Sequence, residues 1–176
     1  YNQLQTYKKD VPGLFTFNEL LIISDGLEAR SGTLTSGWDR FMPWRTIDGK
    51  DIAARGSVEL EVLIKGIFEK RRFLDLILNF VVFDDDGANI IKKTAGYHQF
   101  HAVNKAVECA LSACGIDADR NMLYARFPKH DELNPFEIRE PETPYGIGTK
   151  HFGGRRIGVI WHTQGSGKSL LMAFFA

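Results

Sequence analysis

Residues 155–176 read RRIGVIWHTQGSGKSLLMAFFA, and this stretch decides the fold predicted for the C-terminal part of the chain. An apolar segment at 157–161 precedes a glycine-bearing loop at 162–167, and the residues from Lys168 onward have the composition of a helix start. A strand, a loop with glycines and a helix, in this order, form the arrangement that binds nucleotide phosphates in many proteins. The stretch therefore predicts an α/β fold with a phosphate-binding loop between a buried strand and a helix.

The residue types in this loop suit a nucleoside triphosphate. Gly165 and Gly167 let backbone N–H groups approach phosphate oxygens, and the helix that follows adds partial positive charge at its N-terminus. Lys168 would reach the β- and γ-phosphates of a nucleoside triphosphate, while the Ser169 hydroxyl would ligate Mg²⁺. His162 stands where the common G-x-x-x-x-G-K-[ST] pattern begins with glycine, which favours a helicase-type loop over a small-GTPase type. The candidate ATP-binding residues here are Thr163, Gln164, Gly165, Ser166, Gly167, Lys168 and Ser169.

The composition excludes several classes of protein. The 176 residues are 25% charged and 44% hydrophobic, with 22 basic and 22 acidic side chains, so any contact with DNA must be local. No apolar run approaches the roughly 18 residues of a membrane span, and the polar first residues are not a signal peptide. Cys109 and Cys114 lie five apart in a predicted helix, which suits neither a disulfide framework nor a zinc site. Because the chain starts without Met, we expect it to be an internal piece of a longer protein.

Hydrophobic periodicity predicts the remaining elements. Helices are expected at residues 2–9, 57–68, 71–79 and 98–113, and extended segments at 14–24, 27–35 and 40–47. Asp25 and Gly26 indicate a hairpin turn, Ser57 is expected to cap the second helix, and residues 84–87 are expected to form a solvated acidic turn. Residues 117–154 contain four of the six prolines and lack periodicity, which indicates a long loop.

Three segments together resemble the restriction (R) subunit of type I restriction-modification systems. HTQGSGKS after GVIW is similar to motif I of its superfamily 2 helicase-like motor, and YHQFHAVNKAVE at 97–108 resembles the segment ahead of that motif. Residues 2–46 resemble the stretch that follows the nuclease active site of the same subunit. The resemblance implies that Gln99 recognises adenine, and that Gln3 and Tyr7 form the Gln-x-x-x-Tyr motif that supports a metal-dependent nuclease centre.

The family's nuclease carboxylates and lysine would lie upstream of Gln3, and its later motor motifs beyond Ala176. Asp25, Glu28 and Arg30 imitate the nuclease pattern, but three residues are too few for two strands to converge on a metal, and Arg replaces Lys. We therefore expect Asp25 to be a turn residue rather than a metal ligand.

The resemblance also implies an architecture and partners. The expected domains are the C-terminal part of a restriction-endonuclease-like nuclease domain at 1–50, connecting helices and a turn at 51–95, and the start of a RecA-like helicase domain at 96–176 with a loop insertion at 117–154. The intact protein would be a translocase and endonuclease of double-stranded DNA that depends on ATP and Mg²⁺. It would be cytoplasmic, would assemble with methyltransferase and specificity subunits, and would not associate with a membrane. Two alternatives remain open: a non-catalytic truncated module that only binds DNA or partner subunits, and an unrelated small nucleotide-binding protein.

Overall fold

The computed structural model describes residues 1–54, 56–85, 87–114, 158–160 and 164–176. The chain divides into two compact units, Tyr1–Phe100 and His101–Ala176, and the division falls inside a helix. The helices are α1 (Asn2–Asp10), α2 (Glu59–Ile67), α3 (Lys70–Asn79), α4 (Tyr97–Ala113) and α5 (Lys168–Phe175). The strands are β1 (Leu21–Ser24), β2 (Ala29–Gly32), β3 (Val81–Asp85) and β4 (Ile90–Thr94). Both sheets in the described ranges are two-stranded antiparallel hairpins, β1 with β2 and β3 with β4.

The β1–β2 hairpin confirms the turn predicted at Asp25 and Gly26. Ser24 pairs with Ala29, so four residues connect the strands, and Gly26 has a positive φ of 99°. The Asp25 Oδ1 atom accepts hydrogen bonds from the backbone N–H groups of Leu27 at 2.9 Å and Glu28 at 2.8 Å. Asp25 is therefore a turn residue, as the sequence predicted, because its carboxylate is engaged in organising the loop.

The extended segment predicted at 14–24 is wrong over residues 14–20. Residues Pro12–Phe15 form a 3-10 turn with Pro at its start, and only Leu21–Ser24 pair as a strand. Phe17 is 94% exposed, so the apolar residues before β1 are not a continuous buried strand. Pro12 fixes its own φ near the helical value, which favours the turn over an extended backbone.

The third extended segment, predicted at 40–47, is also mostly wrong. A 3-10 turn covers Trp38–Arg40, and only Met42 makes a β-bridge, exchanging two backbone hydrogen bonds of 2.9 and 3.0 Å with Ser31. Pro43 has no N–H to continue the pairing. The predicted edge strand is therefore reduced to a single bridge beside β2.

A side chain caps the N-terminus of α3, whereas no side chain caps that of α2. The prediction that Ser57 caps α2 is wrong, since the N-cap is Val58 and the Ser57 hydroxyl donates to the Ala54 carbonyl at 2.7 Å. The Glu69 side chain caps α3 by accepting hydrogen bonds from the N–H groups of Arg71 and Arg72. Helix α3 is thus set where the sequence placed it, to within one residue.

The acidic turn predicted at 84–87 is wrong at its first two residues, which belong to the β3–β4 hairpin. Asp84 and Asp85 belong to β3, and Asp84 forms an ion pair with Lys93 of β4. The sequence predicts no element at β4. This strand is held by its neighbours: the Thr33 hydroxyl donates to the Lys92 carbonyl at 2.7 Å, and the Lys92 ammonium lies 2.6 Å from Glu19.

The core of the N-terminal unit has two aromatic centres. Phe15, Leu21 and Phe41 form one buried cluster, against which Tyr1 and Leu4 pack. Phe100, with 0% exposure, stacks in tilted geometry on Phe80 at 4.6 Å and on Trp44 at 5.9 Å between ring centroids. The first turn of α4 is therefore fixed in this core.

The described part of the C-terminal unit contains the rest of α4, residues 158–160 and the segment from Gln164 onward. The strand predicted at 157–161 is wrong at its three described residues, which are unpaired: Gly158 has φ of 107° and Val159 is 90% exposed. Helix α4 confirms the prediction for 98–113, with Val103 buried. The predicted loop at 117–154 lies outside the described residues. No helix in the described ranges combines the length and apolar character that crossing a bilayer requires.

The Asp25 turn gives a testable pH dependence. The hydrogen bonds from the N–H groups of Glu28 and Leu27 lower the pKa of Asp25 below its ordinary value. A lowered pKa in the folded state stabilises the fold above the unfolded pKa of about 4, and this contribution is lost as the pH falls through the folded pKa. We expect urea unfolding midpoints to fall less between pH 7 and pH 3 in Asp25→Asn than in the unaltered chain. Equal pH dependence in the two proteins would contradict this role.

Candidate functional sites: helix α1, the glycine loop and Gln99

Helix α1 brings the two predicted nuclease residues together. Gln3 and Tyr7 are four apart and share one helix face, where the Gln3 Nε2 atom donates a hydrogen bond of 2.7 Å to the Tyr7 hydroxyl. Tyr7 is 46% exposed, so the pair faces solvent. The Tyr1 ring, just before the helix, packs edge-on against Trp38 at 5.6 Å and Phe41 at 5.5 Å. The helix thus presents a fixed amide and phenol from an anchored start.

A lysine that the sequence did not single out also anchors α1. The Lys8 ammonium donates to the Gln5 side-chain oxygen at 3.3 Å and to the backbone carbonyl of Leu34, which follows β2. Partial burial lowers the pKa of Lys8. The contact joins residues 26 positions apart, and no local pattern in the sequence could have indicated it.

The backbone of the glycine loop is left-handed at both of its described glycines. Gly165 and Gly167 adopt φ values of 79° and 76°, in the left-handed region that side chains disfavour. Gly167 is the N-cap of α5, and its carbonyl accepts the first helical hydrogen bond, 3.0 Å long, from Leu171. The two glycines therefore turn the backbone into the helix at the position expected for a phosphate-binding loop.

The Lys168 and Ser169 side chains lie on the surface. Lys168 and Ser169 are exposed in the first turn of α5, while Leu171 and Phe174 on the same helix are buried. The N–H groups of a first helical turn have no partner within the helix, so they can bind an anion there together with an ammonium group. Gln164 and Ser166 lie in the same described loop, whereas Thr163 lies outside the described residues.

Gln99 is not a solvated surface residue. It is the third residue of α4 and only 3% exposed, and its Oε1 atom accepts a hydrogen bond of 2.9 Å from the N–H group of Gly96. The N–H groups of Gln99 and Phe100 in turn donate to the Gly96 carbonyl, each at 3.0 Å. This is the N3 half of a capping box, with glycine at the N-cap. The spacing G-x-x-Q in the sequence could have revealed it.

No metal centre is formed by the residues that the structure covers. Among them, no three His, Cys, Asp or Glu side chains come close enough together to hold a metal ion. Ser169 and Tyr7 would each need ligands from elsewhere to take part in metal chemistry.

Two known families match parts of the chain. The family described as Type I restriction enzyme R protein N terminus matches residues 1–40, and the family described as SWI2/SNF2 ATPase matches residues 98–176. The first match contains α1, and the second contains Gln99 and the glycine loop.

Two curated relatives align with the whole chain. The type I restriction enzyme HindI endonuclease subunit of Haemophilus influenzae is 38% identical over 179 residues, covering 100% of the chain and 14% of the relative. The putative type I restriction enzyme MjaIXP endonuclease subunit of Methanocaldococcus jannaschii is 29% identical over 192 residues, covering 100% of the chain and 15% of the relative. The chain thus spans about one seventh of the length of either relative. Residues 1–40 are thus similar to the N-terminal family of type I restriction enzyme R proteins, and the whole chain is similar to about one seventh of two type I restriction enzyme endonuclease subunits.

Proposed function

We propose that the chain serves in an ATP-dependent DNA translocase and endonuclease, and that its glycine loop binds the phosphates of ATP. The observation that carries the proposal is the pair of left-handed glycines, Gly165 and Gly167, leading into α5 within the segment matched by the SWI2/SNF2 ATPase family. Lys168 would neutralise the β- and γ-phosphates and Ser169 would ligate Mg²⁺. Gln164 and Ser166 would add loop contacts, as would Thr163, and Gln99 would recognise the adenine base.

The nuclease half of the proposal rests on α1. Its exposed Gln3–Tyr7 pair lies within the segment matched by the R protein N-terminus family, and a hydrogen-bonded amide and phenol can orient a metal-bound water or a phosphate. Gln3 and Tyr7 would act as helpers to carboxylates supplied by preceding sequence. The end of a nuclease domain would then be followed by the start of a RecA-like motor domain, with boundaries near residues 50 and 96.

The proposed partners follow from the same family. The substrate would be double-stranded DNA, which the motor moves past the enzyme before cleavage. The two relatives are named as endonuclease subunits, and this naming supports assembly with methyltransferase and specificity subunits of one restriction-modification complex in the cytoplasm.

Nucleotide binding by the polypeptide of residues 1–176 tests the motor half. We expect ATP with Mg²⁺ to bind weakly, with a Kd of about a millimolar, because the loop supplies phosphate contacts while no three His, Cys, Asp or Glu side chains of the described residues come together to hold Mg²⁺. For the same reason we expect no sustained hydrolysis. Calorimetric titration and a phosphate-release assay measure the two quantities. Steady ATP turnover by this polypeptide, lost in Lys168→Ala, would show that the loop is completed in another way.

The nuclease half is tested with Tyr7→Phe in a longer polypeptide that includes the preceding sequence. The change removes only the hydroxyl that accepts the Gln3 hydrogen bond, so we expect DNA cleavage to fall about tenfold or more while the fold persists. Plasmid cleavage with Mg²⁺ measures the loss, and circular dichroism checks the fold. Thr6→Ala, on the same exposed helix, is the matched control and should cleave normally. Unchanged cleavage in Tyr7→Phe would remove Tyr7 from the nuclease centre.

A further inference from the structure

We infer that the Gly96–Gln99 cap holds Gln99 in a closed position, and that adenine must release this cap in order to be recognised. The inference rests on the proposed adenine-recognising role of Gln99 and adds a regulatory consequence to it. Nucleotide binding would loosen the first turn of α4.

The burial of Gln99 is the first step of the argument. A base is recognised along its edge by hydrogen bonds to a carboxamide that it can touch, with one donor and one acceptor available. In this structure Gln99 is 3% exposed and its Oε1 atom already accepts the Gly96 N–H at 2.9 Å. The Oε1 atom has a second lone pair, but so little of the side chain is exposed that edge-on contact with adenine requires it to leave this position.

The residue type at position 99 is the second step. A cap of this kind needs only an acceptor, and glutamate serves as well as glutamine, with an added favourable charge at the helix N-terminus. Adenine recognition needs the amide N–H donors as well, and a carboxylate has none. Glutamine is thus the residue type that can satisfy the cap and the base in turn.

The first turn of α4 packs against other segments of the chain, so opening the Gly96–Gln99 cap would affect residues outside α4. Phe100, adjacent to Gln99, stacks on Phe80 and Trp44, and the N–H of Ala95 donates to the Phe80 carbonyl at 3.1 Å. Gly96, the capped residue, follows Ala95 directly. Loosening the cap would therefore reach the aromatic core of the N-terminal unit, which also contains the segment matched by the R protein family.

Amide hydrogen exchange of the glycine-labelled chain 1–176, followed by NMR, tests the inference. With Mg²⁺ present, we expect ATP to accelerate exchange of the Gly96 amide about fivefold, the factor that loss of a typical helix cap implies. Tripolyphosphate, which lacks a base, and GTP, which presents a different base edge, should leave it unchanged. The Gly66 amide in α2 is the internal reference.

Two variants calibrate the experiment. Gln99→Ala should show fast Gly96 exchange without nucleotide, and Gln99→Glu should keep the amide protected with or without ATP while losing the preference for ATP over GTP. An ATP preference that depends on Gln99 together with unchanged Gly96 protection would overturn the inference and leave the proposed function standing. Equal affinity for ATP and GTP, unaffected by Gln99→Glu, would overturn the adenine-recognising role itself, and the inference with it.

Discussion

Replacing Gly66 with alanine is expected to destabilise the chain by about 3 kcal/mol, although the same change in an exposed helix is usually stabilising. A methyl group on Gly66 would lie 2.5 Å from the carbonyl oxygen of Thr46 and closer still to the buried indole ring of Trp44. The Thr46 oxygen is backbone, and the Trp44 ring stacks against Phe100, so neither can move without disturbing the core. Arg72 adds to the constraint by donating hydrogen bonds to the carbonyls of Ile47 and Gly66.

Urea unfolding followed by circular dichroism measures this loss. Gly13→Ala is the matched control, because a methyl group there meets nothing within 4 Å and Gly13 does not have a positive φ. We expect that control to change the free energy of unfolding by no more than about 0.5 kcal/mol. Stabilisation of the Gly66→Ala chain by about 1 kcal/mol, the ordinary helix-propensity gain, would show that α2 does not pack closely on the 44–46 segment.

Elements with a strong local signal were predictable from the sequence. Helices α1, α3 and α4 show three- and four-residue apolar spacing or clear end signals, and the Asp25–Gly26 turn has its own side-chain chemistry. Each of these depends on neighbours within a few residues. They lie where the periodicity placed them, with ends shifted by a residue or so.

Elements that depend on distant partners were not predictable. Strand β4 carries a lysine pair and is held by Thr33, Thr35 and Glu19, which lie 57 to 73 positions away. The 14–20 segment is apolar enough for a buried strand, but Pro12 starts a turn there and Phe17 remains exposed. A short stretch of sequence shows which residues are apolar, but it does not show whether distant residues will pack against them and bury them.

In the candidate sites, too, features that depend on the local sequence were predictable and features that depend on distant residues were not. The loop glycines adopt a left-handed backbone, which glycine reaches more readily than any other residue, so this feature depends on the local sequence. The Gln3–Tyr7 hydrogen bond follows from helical spacing alone. The burial of Gln99 could not be predicted, since it depends on the core around Phe80 and Trp44.

Replacing Lys168 with alanine is expected to weaken ATP binding by about thirtyfold, the largest effect on nucleotide binding that one side chain of this loop can have. Lys168 is exposed in the first turn of α5, and its removal leaves the phosphates with only the backbone N–H groups and the helix dipole. The change leaves the buried side of the helix, Leu171 and Phe174, untouched, so the fold should persist.

Lys65→Ala is the matched control for Lys168→Ala, because it removes the same charge from an exposed helical lysine, one paired with Glu61 at 2.5 Å on α2. Calorimetric titration with ATP and with tripolyphosphate should show the same weakening in Lys168→Ala for both ligands, since the lysine contacts phosphate and not the base. In a longer polypeptide that includes the whole motor, the same change should abolish ATP hydrolysis, because the transferred phosphoryl group would lose its counter-charge. Equal affinity of Lys168→Ala and Lys65→Ala for tripolyphosphate would mean that phosphates do not bind at this loop. The left-handed glycines would then serve only to turn the backbone into α5.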